Sequence, residues 1–271
     1  MNRGLKSDAK TAELEVAANR IKICEFASLL EKHPVFQKVG QNICVDPVTL
    51  AQHYGLSTEY LDITNSKWVA AFFACTRYDS ETDSYYPIGR DYGEGYGVLY
   101  YAKFKDHIMS EEFCEKNGVI GYQYFARPTK QSSFGFRMEK GDDFNASPYF
   151  EKIFFRHDMT ASQIVYDMSY KQNRFIPKDE LSKLAREIKL SNEVTRVAMF
   201  SCWVNYYQDK SPGFLDEACA YKQWHIREDN TPVASFSATQ LDADWKAWND
   251  YGREDIKSRI LPVMPVTTLK L

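Results

Sequence analysis

The run Ala51-Gln52-His53-Tyr54-Gly55-Leu56-Ser57-Thr58-Glu59-Tyr60-Leu61-Asp62-Ile63-Thr64 concentrates side chains that could do chemistry. His53 changes charge near neutral pH and can donate to or accept from a ligand. Asp62, on a strand pattern, can orient a neighbouring donor. Thr64 stands where an apolar helix pattern begins, so its hydroxyl and the free N–H groups of that helix form a corner suited to an anion. A helix end, a turn and a strand end hold side chains rigidly yet leave them reachable. The same residues also fit an architectural role, with His53 bonding a helix-end carbonyl, Asp62 a buried cap and Thr64 an N-cap.

The elements that must position this run are legible from periodicity. Leu14, Ala17, Ala18, Ile21, Phe26, Leu29 and Leu30 recur near a 3.6-residue period and predict an amphipathic helix over 12–32. Asp46-Pro47 is an N-cap with proline at the first helical position, opening a short helix through Leu50 and His53 that stops at Gly55. A strand is expected over 61–64. Thr64 or Asn65 then caps a helix through Trp68, Val69, Phe72, Phe73 and Cys75, apolar nearly all round and so expected to be buried.

Further along, 78–97 reads as a polar, Gly- and Tyr-rich loop, and strands are expected over 97–104, 119–126 and 133–138. Pro177 opens a charged helix to Leu190, and Ser191 caps another with Val194, Val197, Ala198, Cys202 and Tyr206 as its stripe. A last helix is expected over 242–261, followed by a loose tail with Pro262 and Pro265. Long helices alternating with short strands indicate an α+β fold, a small mixed or antiparallel sheet core with flanking helices.

The chain of 271 residues carries 34 Lys+Arg against 37 Asp+Glu, a net charge of −3, which argues against a generic nucleic-acid binder while leaving room for a local basic groove. At 44% hydrophobic it is too apolar to be disordered, and it is long enough to need no disulfide or metal staple. Its cysteines, Cys24, Cys44, Cys75, Cys114, Cys202 and Cys219, form no Cys-x-x-Cys pair and most have apolar neighbours. Buried free thiols imply a reducing compartment, and with no apolar signal core or membrane-length stretch the expected location is cytoplasmic.

Other motifs yield less. Gly93-Glu94-Gly95-Tyr96-Gly97 precedes a strand and does not join a strand to a helix, so it fails the dinucleotide fingerprint. The tyrosines around it (Tyr85, Tyr86, Tyr92, Tyr96) could stack on a base or a nicotinamide ring as a lid. His33, His53, His107, His157 and His225 are dispersed, and no metal is assigned. Lys171, Arg174, Lys178, Lys183, Arg186 and Lys189 read as a solvated basic face, and the tryptophans as packing residues.

Gln52-His53-Tyr54-Gly55-Leu56, then Thr58, Leu61-Asp62 and Thr64, then Ala70-Ala71-Phe72-Phe73-Ala74, resembles the central signature of the FRG domain family. That signature is approximately Gln-His-Tyr-Gly-Leu-Pro-Thr-Arg-Leu-Leu-Asp-Trp-Thr followed by an Ala-x-Phe-Phe-Ala helix. Arg127 to Phe134 is similar to the family's later Arg…Gln…Phe segment, and the resemblance spans roughly 12–136. Departures are Ser57 and Glu59 for Pro and Arg, and Ile63 for Trp. The family's Phe/Tyr-Arg-Gly, on a first strand, is matched only by Asn2-Arg3-Gly4.

The family's layout is in turn similar to ADP-ribosyltransferase-like folds, an analogy at the level of fold. It implies a phosphate-binding Arg3, a hydroxyl at Thr64 that helps hold nicotinamide, and Gln131 on a later strand as the group polarising the ribose. His53, Thr64 and Gln131 are thereby candidate catalytic residues, and Arg3, Tyr54, Thr58, Asp62 and Arg127 candidate ligand-binding residues. NAD is implied as a substrate, through ADP-ribosyl transfer or NAD glycohydrolysis, in a toxin or phage-defence setting. An amide oxygen stabilises an oxocarbenium-like state less well than a carboxylate. A binding module for a nucleotide, nucleic acid or protein, without turnover, therefore stands as the alternative. The expected organisation is an FRG-like domain over 1–206 and a helical extension over 207–271 packed on it.

Overall fold

Asp46 caps the helix that proline starts: its Oδ1 accepts the Val48 N–H at 2.9 Å and its Oδ2 accepts the Thr49 hydroxyl. The resulting helix α3 runs Pro47–His53, as the sequence indicates. The computed structural model describes residues 3–40, 46–92, 95–102, 117–120, 124–139 and 141–252. Cys44, Cys114, His107, Gly93, Glu94, the far end of the 97–104 strand and the Pro262/Pro265 tail lie outside them. Among the described residues the chain forms mixed helix and strand in two compact units, one made of residues up to Thr58 with those from Glu180, the other Glu59–Asp179.

The first unit is helical. Helix α1 spans Arg3–Glu31, starting earlier than its apolar period suggests, and is followed by α2 (Pro34–Gly40) and α3. After Glu180 come α7 (Glu180–Leu190), strand β8 (Glu193–Thr195), α8 (Arg196–Tyr206), α9 (Gly213–Lys222), β9 (His225–Arg227) and α10 (Ala238–Ala247), which runs into a π turn at Trp248–Gly252. β8 and β9 pair in parallel. The cap of α8 is Thr195, whose Oγ1 accepts the Ala198 N–H, and not Ser191, because 193–195 is committed to the strand. One face of α1 (Leu14, Ala17, Ile21, Cys24) shares a core with α8 and α9 through Ala198, Cys202, Leu215 and Cys219. Residues beyond 207 thus build the same core as the first helix. Cys24, Cys202 and Cys219 are buried free thiols, and Cys75 is half-buried.

The second unit holds the sheets. β1 (Tyr60–Thr64), β6 (Ser133–Arg137) and β5 (Asn117–Val119) form an antiparallel sheet in the order β1-β6-β5. β2 (Thr76–Asp79) and β3 (Ser84–Pro87) form a hairpin where a loop was expected, with Tyr85 and Tyr86 on its second strand. β4 (Tyr96–Tyr101) pairs antiparallel with β7 (Glu151–Arg156). The helices are α4 (Lys67–Cys75), α5 (Ala126–Gln131) and α6 (Met159–Met168). α5 begins at the last residue of the strand expected over 119–126, and Gln131, which the analogy places on a later strand, ends this helix instead. α4 is not buried all round: Val69 and Phe72 are inside with Phe175, while Trp68 is 45% exposed and Phe73 39%.

Candidate functional site

Strand alternation sorts β1 into two faces. Leu61 and Ile63 lie opposite Phe136 and Phe134, on the side where Phe136 and Tyr149 make a small aromatic core. Tyr60, Asp62 and Thr64 share the other face, opposite Arg137, Gly135 and Ser133. The sequence pattern therefore delivers Asp62 and Thr64 to one side of the sheet.

Thr64 joins the sheet to α5. Its hydroxyl donates to the Gln131 carbonyl at 2.6 Å and accepts the Ser66 N–H at 3.0 Å. Ser66 is the cap of α4, its Oγ accepting the Val69 N–H at 3.4 Å, so the capping role expected of Thr64 or Asn65 falls one or two residues later. Gln131 meets Thr64 through its backbone. Its side chain is 2% exposed and donates from Nε2 to the Phe175 carbonyl at 2.7 Å.

Phe175 ends a turn of unusual backbone. Tyr170, Lys171 and Gln172 have φ of 50°, 52° and 72°, in the left-handed region that non-glycine residues avoid at about 1–2 kcal/mol each. Neighbours hold it there: Gln172 N–H donates to Ser169 Oγ, Tyr85 N–H donates to Gln172 Oε1 at 2.7 Å, and Arg174 N–H donates to the Ser169 carbonyl.

Between this turn, the start of α4 and the end of α5 lies an open cleft of about 630 Å³. Ser66 and Trp68 line it from α4, Lys130 from α5, and Tyr170, Arg174 and Phe175 from the turn. Trp68 is half exposed and Tyr170 71% exposed. Thr129 and Asn173 complete the lining, and among these residues there is no carboxylate. Two cations beside a helix N-terminus favour an anionic group, and two accessible rings favour a flat heterocycle.

Asp62 and Arg127 gather near the Tyr85 phenol. Burial raises the pKa of that phenol above its ordinary value, and Arg127, hydrogen-bonded to it, opposes the shift, while Asp62 adds to it. The tyrosine expected in a lid is thus packed against Phe72 and Phe73.

His53, Tyr54 and Thr58 belong to the helical unit. His53 and Tyr54 are each 5% exposed at the end of α3, with the Tyr54 ring 6.1 Å from that of Phe26 on α1. Thr58 donates its hydroxyl to Gln52 Oε1 at 2.9 Å. Arg3 stands at the start of α1 and not on a strand, and its side chain lies outside the described residues. Among the described residues no group of His, Cys, Asp or Glu is arranged to hold a metal ion.

Trp68, Lys130, Tyr170 and Arg174 escaped the sequence reading. Lys130 is the neighbour of Gln131, a weak signal. Arg174 falls in a basic run that looks solvated, and only the left-handed turn brings it beside Ser66.

The model of the FRG domain family matches residues 5–83, from α1 to the turn of the β2–β3 hairpin. The chain carries this domain's signature across α3, β1 and α4. Arg127 and Gln131 lie beyond the matched residues. No curated protein and no solved structure matches the chain. Among the described residues no helix is long and apolar enough to cross a membrane.

Proposed function

We propose that this FRG-domain chain binds NAD, or a nucleotide of that class, in the cleft of the Glu59–Asp179 unit. The observation that carries the reading is the meeting of Lys130 and Arg174 with the exposed rings of Trp68 and Tyr170 at the N-terminus of α4. Phosphate and base are the two chemistries such a lining recognises. The cleft adjoins the Thr64–Gln131 bridge, the region to which the family resemblance assigns nicotinamide.

The resting geometry favours binding without turnover. The Thr64 hydroxyl is engaged as donor and as acceptor, the Gln131 amide faces a carbonyl, and the cleft lining supplies no carboxylate to steady an oxocarbenium-like state.

A second reading is glycosyl transfer from NAD, as an ADP-ribosyltransferase or glycohydrolase in toxin or defence biology. It is favoured by the position of Gln131 directly behind the cleft-lining Lys130 and Phe175. For this chemistry the Gln131 amide must leave Phe175. Breaking that bond costs about 1–3 kcal/mol, well below the ~8 kcal/mol of a micromolar ligand.

Calorimetric titration of the whole chain with NAD, ADP-ribose and nicotinamide tests both readings when nicotinamide release is assayed alongside. Saturable NAD binding without release supports the binding module. Release that disappears in Gln131→Ala supports the enzyme. Absence of both binding and release at millimolar NAD removes NAD from consideration.

A further inference from the structure

The β4–β7 ribbon has a face that the nucleotide reading leaves unused. Its register places Tyr96 opposite Arg156, Val98 opposite Phe154, and Tyr100 opposite Lys152. Side chains directly opposite in an antiparallel pair project to the same side, so these six share one face. It is unusually open for an aromatic surface: Tyr96 is 54% exposed, Val98 36% and Phe154 70%. A lone exposed apolar residue needs no explanation, but a contiguous cross-strand row does.

Charge distinguishes this row from a bare apolar patch. Arg156 lies 5.3 Å from the Tyr96 ring centre and donates from Nε to the Tyr96 hydroxyl at 3.0 Å. Lys152 lies 6.0 Å from the Tyr100 ring centre. Among the described residues no carboxylate pairs with either cation. Glu151 projects to the opposite face, where it accepts the Tyr101 hydroxyl. Asp158, beyond the strand, is turned to the Ala161 N–H as the cap of α6. A chain of net charge −3 thus presents a locally cationic, aromatic strip.

We infer that this strip binds single-stranded nucleic acid, with bases stacked on Phe154 and Tyr96 and phosphates met by Lys152 and Arg156. Rings interleaved with cations on an exposed sheet face are what a flexible strand recognises, since every base has a stacking face and every linkage a negative charge. A duplex hides its bases and suits the strip less well. A second copy of the chain would bring the same cations to the contact, and like charges disfavour that pairing.

Fluorescence anisotropy of the whole chain with labelled oligouridylate and oligothymidylate of about 12 nucleotides tests the inference. At about 50 mM salt, binding is expected and is to weaken as salt rises. Phe154→Ala is expected to weaken it at least ~5-fold, the lower bound for one lost stacking contact. Phe154→Leu, which keeps an apolar side chain and removes the ring, is to weaken it comparably with the circular dichroism spectrum unchanged. Lys152→Ala with Arg156→Ala is to reduce the slope of log affinity against log salt by about 1.4, at ~0.7 per phosphate contact. Phe200→Ala, which removes an exposed ring on α8, is to change nothing. The inference is overturned if neither oligonucleotide binds, if Phe200→Ala weakens binding as much as Phe154→Ala, or if Phe154→Ala instead dissolves a dimer seen in sedimentation.

Discussion

The Thr64 hydroxyl sits 2.6 Å from the Gln131 carbonyl and 3.0 Å from the Ser66 nitrogen, tying the end of β1 to the end of α5 and to the cap of α4. One side chain thereby fixes the three pieces of backbone behind the cleft. Thr64→Val keeps the shape and removes both bonds, so a loss of about 1–3 kcal/mol is expected in urea unfolding. Thr64→Ser keeps the hydroxyl and is to stay within about 1 kcal/mol of wild type. A larger loss in Thr64→Ser than in Thr64→Val would show that the methyl group, and not the hydrogen bonds, matters here.

The cleft cations give a separate readout. Lys130 and Arg174 are both exposed, so each charge acts through screened water. Lys130→Ala and Arg174→Ala are each expected to weaken NAD binding by about 1.4- to 5-fold, the range for an exposed ionic contact. Salt is to weaken the wild type more than the double variant. Calorimetry at low and high salt checks both statements, and unchanged affinity in the double variant rejects this cleft as the phosphate site.

Local signals in the sequence account for some of these elements and not for others. Asp46-Pro47 specified α3 because a cap and an N1 proline act within a few residues. β1 was legible from its own composition. The cap of α4 was not, since Thr64, Asn65 and Ser66 are all capable residues and only the approach of α5 engages the first of them elsewhere. The positions of Arg174 and Tyr170 depend on left-handed backbone at residues without glycine, which no periodicity reveals. The helical core was equally hidden: α1 finds its partners among residues past 190, a pairing over long sequence separation.

The left-handed turn itself can be tested at one of its exposed members. Lys171 has φ 52° and an exposed side chain. Lys171→Gly removes the Cβ conflict but frees the unfolded chain, so a net gain of about 0.5–1 kcal/mol is expected. Lys171→Val adds a branch at Cβ and is to lose about 1–2 kcal/mol. Thermal unfolding of the pair reads the sign, and a Gly variant less stable than wild type would mean that the lysine makes a compensating contact.

Gly97 on β4 leaves room for the Phe155 ring across the ribbon. A Cβ built on it would lie 2.4 Å from Cζ of the Phe155 ring directly opposite. Gly97→Ala is expected to lose about 1–3 kcal/mol through overpacking. Phe155→Leu shortens the offending ring, so the double variant is to recover part of that loss. A double-mutant cycle measures the coupling, and strict additivity would show that the clash is relieved by some other movement.

Lys22 supplies a pH dependence with a defined sign. It lies buried on α1, its ammonium donating to the Ser191 and Glu193 carbonyls at 2.9 Å each, 4.4 Å from the centre of a Trp224 ring. Burial pushes its pKa down to about 8, against the opposing pull of Glu25, Cys219 and Glu193, from an ordinary value of 10.5. Between these values the unfolded chain keeps a proton that the folded chain has released, so this group makes stability rise with pH. Its contribution is complete above 10.5 and fades as pH falls toward 8. Lys22→Met keeps the stem packing and removes the titration. Urea unfolding across that window is to show wild type gaining on Lys22→Met as pH rises; parallel curves would place the folded-state pKa at its ordinary value and assign the two carbonyls the stronger hold on the charge.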